Sequence, residues 1–237
     1  MKESRYQFWN LRAPDMDEDL KIDWDDGVVL GQKTCPLNPE HRSAGRRLTN
    51  LSVVLSSRQV FDVMWTGASE CLIQQSVLDA FSCQGFNGFE VKPVQARFKR
   101  PGAGSPPQFW ELIVTGWAGM ASPKSGIRLD ETKTCPGCGR LRYTKASDYS
   151  SLIDPKRWDG SDFFMVWPLP RFVFVTERVR EFAEKTGLRL TQFTSPGDMQ
   201  PKTPFLQQTK MGFGPGRLSY WMPEQRAHEL GDSLGIY

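Results

Sequence analysis

Four residues of this chain have the types and spacing to hold one metal ion. Cys135 and Cys138 stand two residues apart in KTCPGCGRLRY, residues 133–143. In such a turn two thiolates reach the same ion at about 2.3 Å, and the turn amides stabilise their charge. That is half of a tetrahedral zinc site of the ribbon type. Cys35, in KTCPLNPEHRS, opens a second turn with the same Lys-Thr-Cys-Pro. Asn38 occupies the position that matches Cys138, and His41 follows three residues later. Two readings stay open. Either Cys35, His41, Cys135 and Cys138 form one closed site with three thiolates and an imidazole, or the first knuckle has decayed and binds nothing. A closed four-ligand zinc is structural, because catalysis needs an open coordination position.

Other chemistries find little support. Two histidines in 237 residues leave few general bases. The chain has no G-x-S-x-G, Walker loop, H-E-x-x-H or dinucleotide fingerprint. GFGPGR, residues 212–217, reads as a turn, with no strand-to-helix phosphate site around it. The expectation is a protein without enzymatic activity. Cys71 and Cys83, on or at the end of a predicted helix, read as core residues. His228, in the last predicted helix, reads as a surface residue.

The elements that must position these residues follow from periodicity. SSRQVFDVMW (56–65) shows Val60, Val63 and Met64 at helical spacing, and Gly67 stops it. SECLIQQSVLDAFSCQG (69–85) places Leu72, Ile73, Val77, Ala80 and Phe81 on one helical face. FEVKPVQARF alternates as a strand, which Pro93 makes an edge or a broken one. RPGAGSPP is a loop, FWELIVTGW a buried strand, and residues 118–145 a polar excursion carrying the second knuckle. RWDGSDFFMVW and RFVFV are strands around Pro168 and Pro170. TERVREFAEKTG is a helix capped by Thr176 and ended by Gly187. Two stretches, SVLDAFSCQGFNGFEV and RVREFAEKTGLRLTQF, repeat the order helix, glycine, apolar strand.

The predicted fold is a mixed α+β single domain with a central sheet, flanking helices and a zinc-ribbon-like double knuckle. Residues 1–195 form the domain. Residues 196–237 form an extended tail that packs on it and ends in a short helix. A composition of 39% hydrophobic and 24% charged residues is ordinary for a soluble protein. No apolar run nears the roughly 20 residues of a membrane span, and MKESRYQFWN lacks a signal-peptide core. Five cysteines, an odd number with one C-x-x-C, favour a reducing compartment, so the expected location is the cytoplasm.

Charge is uneven. Residues 15–27 hold seven carboxylates and one lysine, a net of −6, against +3 for the whole chain. Such a run is either a solvated segment or an acidic face for a basic partner. The low overall charge argues against nucleic acid. RLRYTK beside the second knuckle argues for it, with Arg140, Arg142, Tyr143 and Lys145 interleaving cations and an aromatic ring.

Two knuckles about 100 residues apart, CPGCGR, the aspartate and tryptophan segment behind it, and FVFVTERVREFAEKTGLRLTQF together resemble the double-CXXCG motif family of social soil bacteria. The resemblance covers roughly residues 25–195. The first knuckle here lacks the family's second cysteine and its glycine, and the tail after Thr194 runs past the family's expected end. The resemblance implies an immunity protein that binds and occludes the toxin delivered by kin. Toxins that attack nucleic acids are usually basic. The expected interface is therefore the acidic segment, through Asp15, Asp17, Asp19, Asp23, Asp25 and Asp26, with Trp24 as its aromatic anchor.

Overall fold

Many strands of this chain are apolar on both faces, because its sheets are covered on both sides. In the computed structural model, β4 (Val63–Trp65) and β5 (Cys71–Gln74) send Val63, Trp65, Cys71 and Ile73 into one apolar cluster. Met64 and Leu72 go into another. β11 (Phe163–Trp167) and β12 (Val173–Thr176) do the same. Phe163, Met165, Trp167, Val173 and Val175 join the first cluster, while Phe164, Val166 and Phe174 enter a third. The first cluster is thus a central core shared by two sheets, and each sheet has a second core on its other face. Burying each large apolar side chain contributes about 1.5–3 kcal/mol relative to exposure.

The structure describes residues 6–13, 22–31, 34–41, 45–67, 70–100, 102, 104–130, 135–189, 191–199, 211–213 and 216–237. The remaining elements are β1 (Phe8–Arg12), β2 (Ile22–Trp24), β3 (Ser52–Leu55), α1 (Gln75–Cys83), β6 (Phe89–Phe98), β7 (Phe109–Val114) and β8 (Gly116–Met120). They continue with β9 (Leu129–Asp130), β10 (Arg142–Thr144), α2 (Glu177–Thr186), β13 (Gln192–Thr194), β14 (Met211–Phe213) and α3 (Glu224–Gly231). One sheet runs β2-β3-β6-β7-β5-β4 and a second β13-β1-β12-β11-β8. A small third sheet runs β14-β10-β9. The fold is mixed α+β, as expected, with two large sheets in place of one central sheet.

The repeated helix, glycine and strand is a real structural unit. In both copies a strand, a helix and a second strand flank a third strand, which is the next one along the chain in the first copy and the distant β1 in the second. β5 and β6 flank β7, and β12 and β13 flank β1, every pairing antiparallel. A further antiparallel strand adds to each, β4 beside β5 and β11 beside β12. The helices meet through Phe81 and Phe182, whose rings lie 6.1 Å apart, edge to face. Asn87 and Asp162 exchange backbone and side-chain hydrogen bonds between the two units, at 2.9 and 3.2 Å.

Several sequence expectations need correction. No helix covers residues 56–65, where a bend leads into β4. The helix predicted from residue 69 begins only at Gln75, because Cys71–Gln74 is strand β5. Cys83, expected in the core, is exposed at the end of α1, whereas Cys71 is buried on a strand. Other readings stand. α2 follows Thr176 and ends at Gly187, whose φ of 68° is left-handed. The Thr176 hydroxyl does not cap the helix, since it donates to Asp162 at 3.0 Å. Pro93 sits where β6 pairs with β7 alone, because the β3 ladder begins at Gln95. Its missing N–H therefore costs no ladder bond. No helix among the described residues is long and apolar enough to cross a membrane.

Candidate metal centre

Each knuckle is a loop closed by its own backbone. In the second, the Cys135 N–H donates to the Arg140 carbonyl at 2.7 Å and the Gly139 N–H to the Cys135 carbonyl at 2.8 Å. Gly139 takes a φ of 68°, which favours glycine. In the first, the Cys35 N–H donates to the His41 carbonyl at 3.2 Å. This loop is one residue longer, and its second donor comes from its end, at His41. Asn38, in the position of the missing cysteine, builds the turn. Its side-chain oxygen accepts the Glu40 N–H at 3.0 Å, and its amide nitrogen stands 3.3 Å from His41 Nε2.

The two loops press together. Gly137 makes this contact possible, because a Cβ there would stand 3.0 Å from Cys35 Sγ and from Leu37 Cγ. Cys35 Sγ lies 3.5 Å from Cys135 Sγ, and Cys138 Sγ lies 3.5 Å from His41 Nδ1. All four donor atoms fall within 4.8 Å of one another. Ligands on tetrahedral zinc, at about 2.3 Å for sulfur, stand roughly 3.8 Å apart. Cys35, His41, Cys135 and Cys138 are therefore close enough to hold one metal ion, and their donor set suits it. Cys35 and Cys138 are buried, and Cys135 and His41 are partly exposed.

The turn prepares a thiolate. Backbone N–H groups, that of Cys138 first, hold the Cys135 thiol down to about 6 against the effect of burial. Burial pushes Cys138 up to about 11. No protein-family model and no curated protein matches this chain. The site rests on its own geometry.

The end of the chain braces the centre. Arg217 donates to the Pro136 carbonyl and to the Tyr237 carbonyl, each at 3.0 Å. Gly216 lies between the second knuckle and Tyr220, where a Cβ would stand 3.2 Å from the Cys138 carbonyl oxygen and 2.8 Å from the tyrosine ring. Asn38, Gly216 and Arg217 were not legible as site residues. Gly216 and Arg217 end the stretch read as a simple turn, and no local pattern announces a contact with a loop about 80 residues earlier.

Of the expected partner face, Asp15, Asp17 and Asp19 lie outside the described residues. Asp23 lies on β2, opposite Val54 of β3. Asp25 accepts from Arg97 at 2.7 and 2.9 Å, which holds its carboxyl below the usual range. Trp24 is half-buried, and its indole N–H donates to Glu70 at 3.1 Å. Asp26 is exposed. His228 is exposed, stacked on Tyr237 at 3.4 Å between ring centres.

Proposed function

We propose that this chain is a cytoplasmic immunity protein, which binds one cognate toxin domain and occludes it, its shape held by a structural zinc ion. The observation that supports the reading is the meeting of two knuckles about 100 residues apart on one set of three thiolates and an imidazole. That is the layout on which the resemblance to the double-CXXCG family was drawn. The donor set favours zinc over harder cations, and four protein ligands leave no open position for chemistry. Zinc here would fix the geometry of the loops and add its binding energy to folding.

The test is protection. The toxin encoded beside this chain's gene is expressed in cells with and without it. Survival only with the intact chain supports the reading, and killing despite full expression overturns it. Changing Asp15, Asp17, Asp19, Asp23 and Asp26 together to Asn tests the acidic face. A slower association rate supports it, and an unchanged rate removes it. Asp25 stays in place because it pairs with Arg97 within the chain. Elemental analysis showing close to one zinc per chain supports the metal.

A second reading is a zinc-ribbon protein that binds nucleic acid. It draws on Arg140 and Tyr143 beside the second knuckle, both of which line a cleft. Retention in a shift assay that weakens steeply with salt would favour it.

A further inference from the structure

Three sulfurs crowd the point where the knuckles meet, and they are not equivalent. Cys35 is 2% exposed and Cys138 1%, whereas Cys135 is partly exposed. An oxidant arriving from solvent therefore meets Cys135 first. The sulfurs also differ in their neighbours. Cys35 Sγ rests on the backbone of the second turn, where a Cβ on Gly137 would stand 3.0 Å from it. From that seat it touches Cys135 Sγ at 3.5 Å. Cys138 Sγ stands 3.5 Å from His41 Nδ1.

The contact between Cys35 and Cys135 is one step short of a bond. Sulfurs of a disulfide lie about 2.05 Å apart, so this pair must close by about 1.5 Å, which small side-chain rotations supply. The loops around the pair do not need the sulfurs to stay closed. The Cys35 N–H donates to the His41 carbonyl, the Cys135 N–H to the Arg140 carbonyl, and Arg217 holds the Pro136 carbonyl. An accessible thiolate beside a buried second thiol is the arrangement of a cysteine pair that responds to peroxide.

We propose that Cys35 and Cys135 form a disulfide under hydrogen peroxide, and that this bond replaces the metal as the tie between the knuckles. The Cys135 thiolate attacks one peroxide oxygen. An S–O bond forms, the O–O bond breaks and hydroxide leaves, with Cys135 now a sulfenic acid. The Cys35 thiolate attacks that sulfur, forms the S–S bond and expels a second hydroxide. The two thiolates lose two electrons and one peroxide becomes two hydroxides. Cys138 and His41 alone remain as donors, two short of a structural zinc site, so the metal is released. A covalent link between the same two residues, 100 apart in sequence, then keeps the knuckles together. The pair goes beyond toxin capture and does not depend on it, so its failure leaves the protection assay unaffected.

The experiment treats the intact chain with hydrogen peroxide, once loaded with zinc and once chelated. Remaining thiols are alkylated, the chain is digested without reduction, and linked peptides are mapped by mass spectrometry. Zinc release is followed with a chromogenic chelator. A peptide joining Cys35 to Cys135 is expected in both samples, with zinc released in step with it in the first, and dithiothreitol should reverse the link. Cys135→Ser should slow the oxidation of Cys35 at least about tenfold, because Cys35 is buried. Cys83→Ser, which removes an exposed thiol at the end of α1, should change neither the link nor the zinc release. The oxidised chain should melt close to the zinc-loaded one and, unlike it, should not respond to a chelator. Three results overturn the proposal: a disulfide that joins Cys135 to Cys138 instead; Cys135 carried on to sulfinic acid while Cys35 stays free to alkylate; or an oxidised chain that melts with the chelated, reduced one.

Discussion

The metal centre makes its clearest prediction through Cys35. Cys35 and His41 are the two donors that the first knuckle brings to those of the second. Cys35 and Cys135 are 100 residues apart. A cross-link across a loop of that size removes about 4.7 kcal/mol of freedom from the unfolded chain. That figure is an upper bound here, because other contacts already hold the first knuckle's segment. Leu30 bridges Arg47, and Arg47 pairs with the buried Glu111. His41 also survives in the single variant. Cys35→Ser should therefore cost about half the bound, roughly 2–3 kcal/mol. For a chain of this size each kcal/mol shifts the melting temperature by about 2–4 °C, so the midpoint should fall by roughly 4–12 °C. The assay is calorimetry on wild type and variant, each with zinc and after chelation. Chelation should lower the wild type further than the variant, which keeps three of the four donors, and so close the gap between them. Equal melting with zinc present, or a gap of the same size after chelation, would refute the argument that the metal ties the loops together.

Other outcomes follow from single contacts. Arg47→Ala strands Glu111 as a buried, unpaired carboxylate and should cost about 3–5 kcal/mol in urea unfolding. Adding Glu111→Leu should recover most of it. Gly116→Ala places a Cβ onto Ser161 Oγ and the Phe163 carbonyl, where β8 pairs with β11, and should lower soluble yield sharply. Gly27→Ala, with nothing within 4 Å, should not. In metal-free protein at neutral pH, iodoacetamide should label Cys135 well before Cys138, as mass spectrometry can show, and zinc should protect both. Glu177 accepts from Arg180 and Trp9, which holds its carboxyl below the ordinary 4.5. A lowered folded value stabilises above the unfolded value and is lost as pH falls through the folded one. Stability should thus decline below about pH 4.5, and Glu177→Gln should flatten part of that decline.

The parts legible in sequence were those with one buried face or one dominant local rule. α2 showed its stripe at Val179 and Ala183 because its other face is wet. The knuckles showed themselves through repeated Lys-Thr-Cys-Pro, and the spacing of His41 from Cys35 was enough to nominate the fourth donor. What failed was β4 and the start of β5. In Val63-Met64-Trp65 and Cys71-Leu72-Ile73 every residue is buried, alternately in two different cores. With no polar face the period of two vanishes, and an apolar run is read as helix by its accidental spacing. The cleft beside the second knuckle was illegible for another reason. Arg140, Arg171 and Trp221 line it from loops that meet only because the sheets stack, and no local pattern records that meeting.

The first strand has a consequence for how the chain comes together. β1 lies between β12 and β13, with Phe8 opposite Thr176 and Asn10 opposite Thr194. During synthesis it must wait about 160 residues for its neighbours, whereas every strand of the six-stranded sheet has emerged by Val114. The two sheets can therefore form in order, with β1 unpaired until β12 and β13 have emerged. Long-range pairing of this kind is slow, and it leaves edges exposed to other chains while it is incomplete. A bulky fusion at the beginning of the chain would hinder the insertion of β1 between its partners. One at the end would spare that step, because β13 closes the sheet before residue 195.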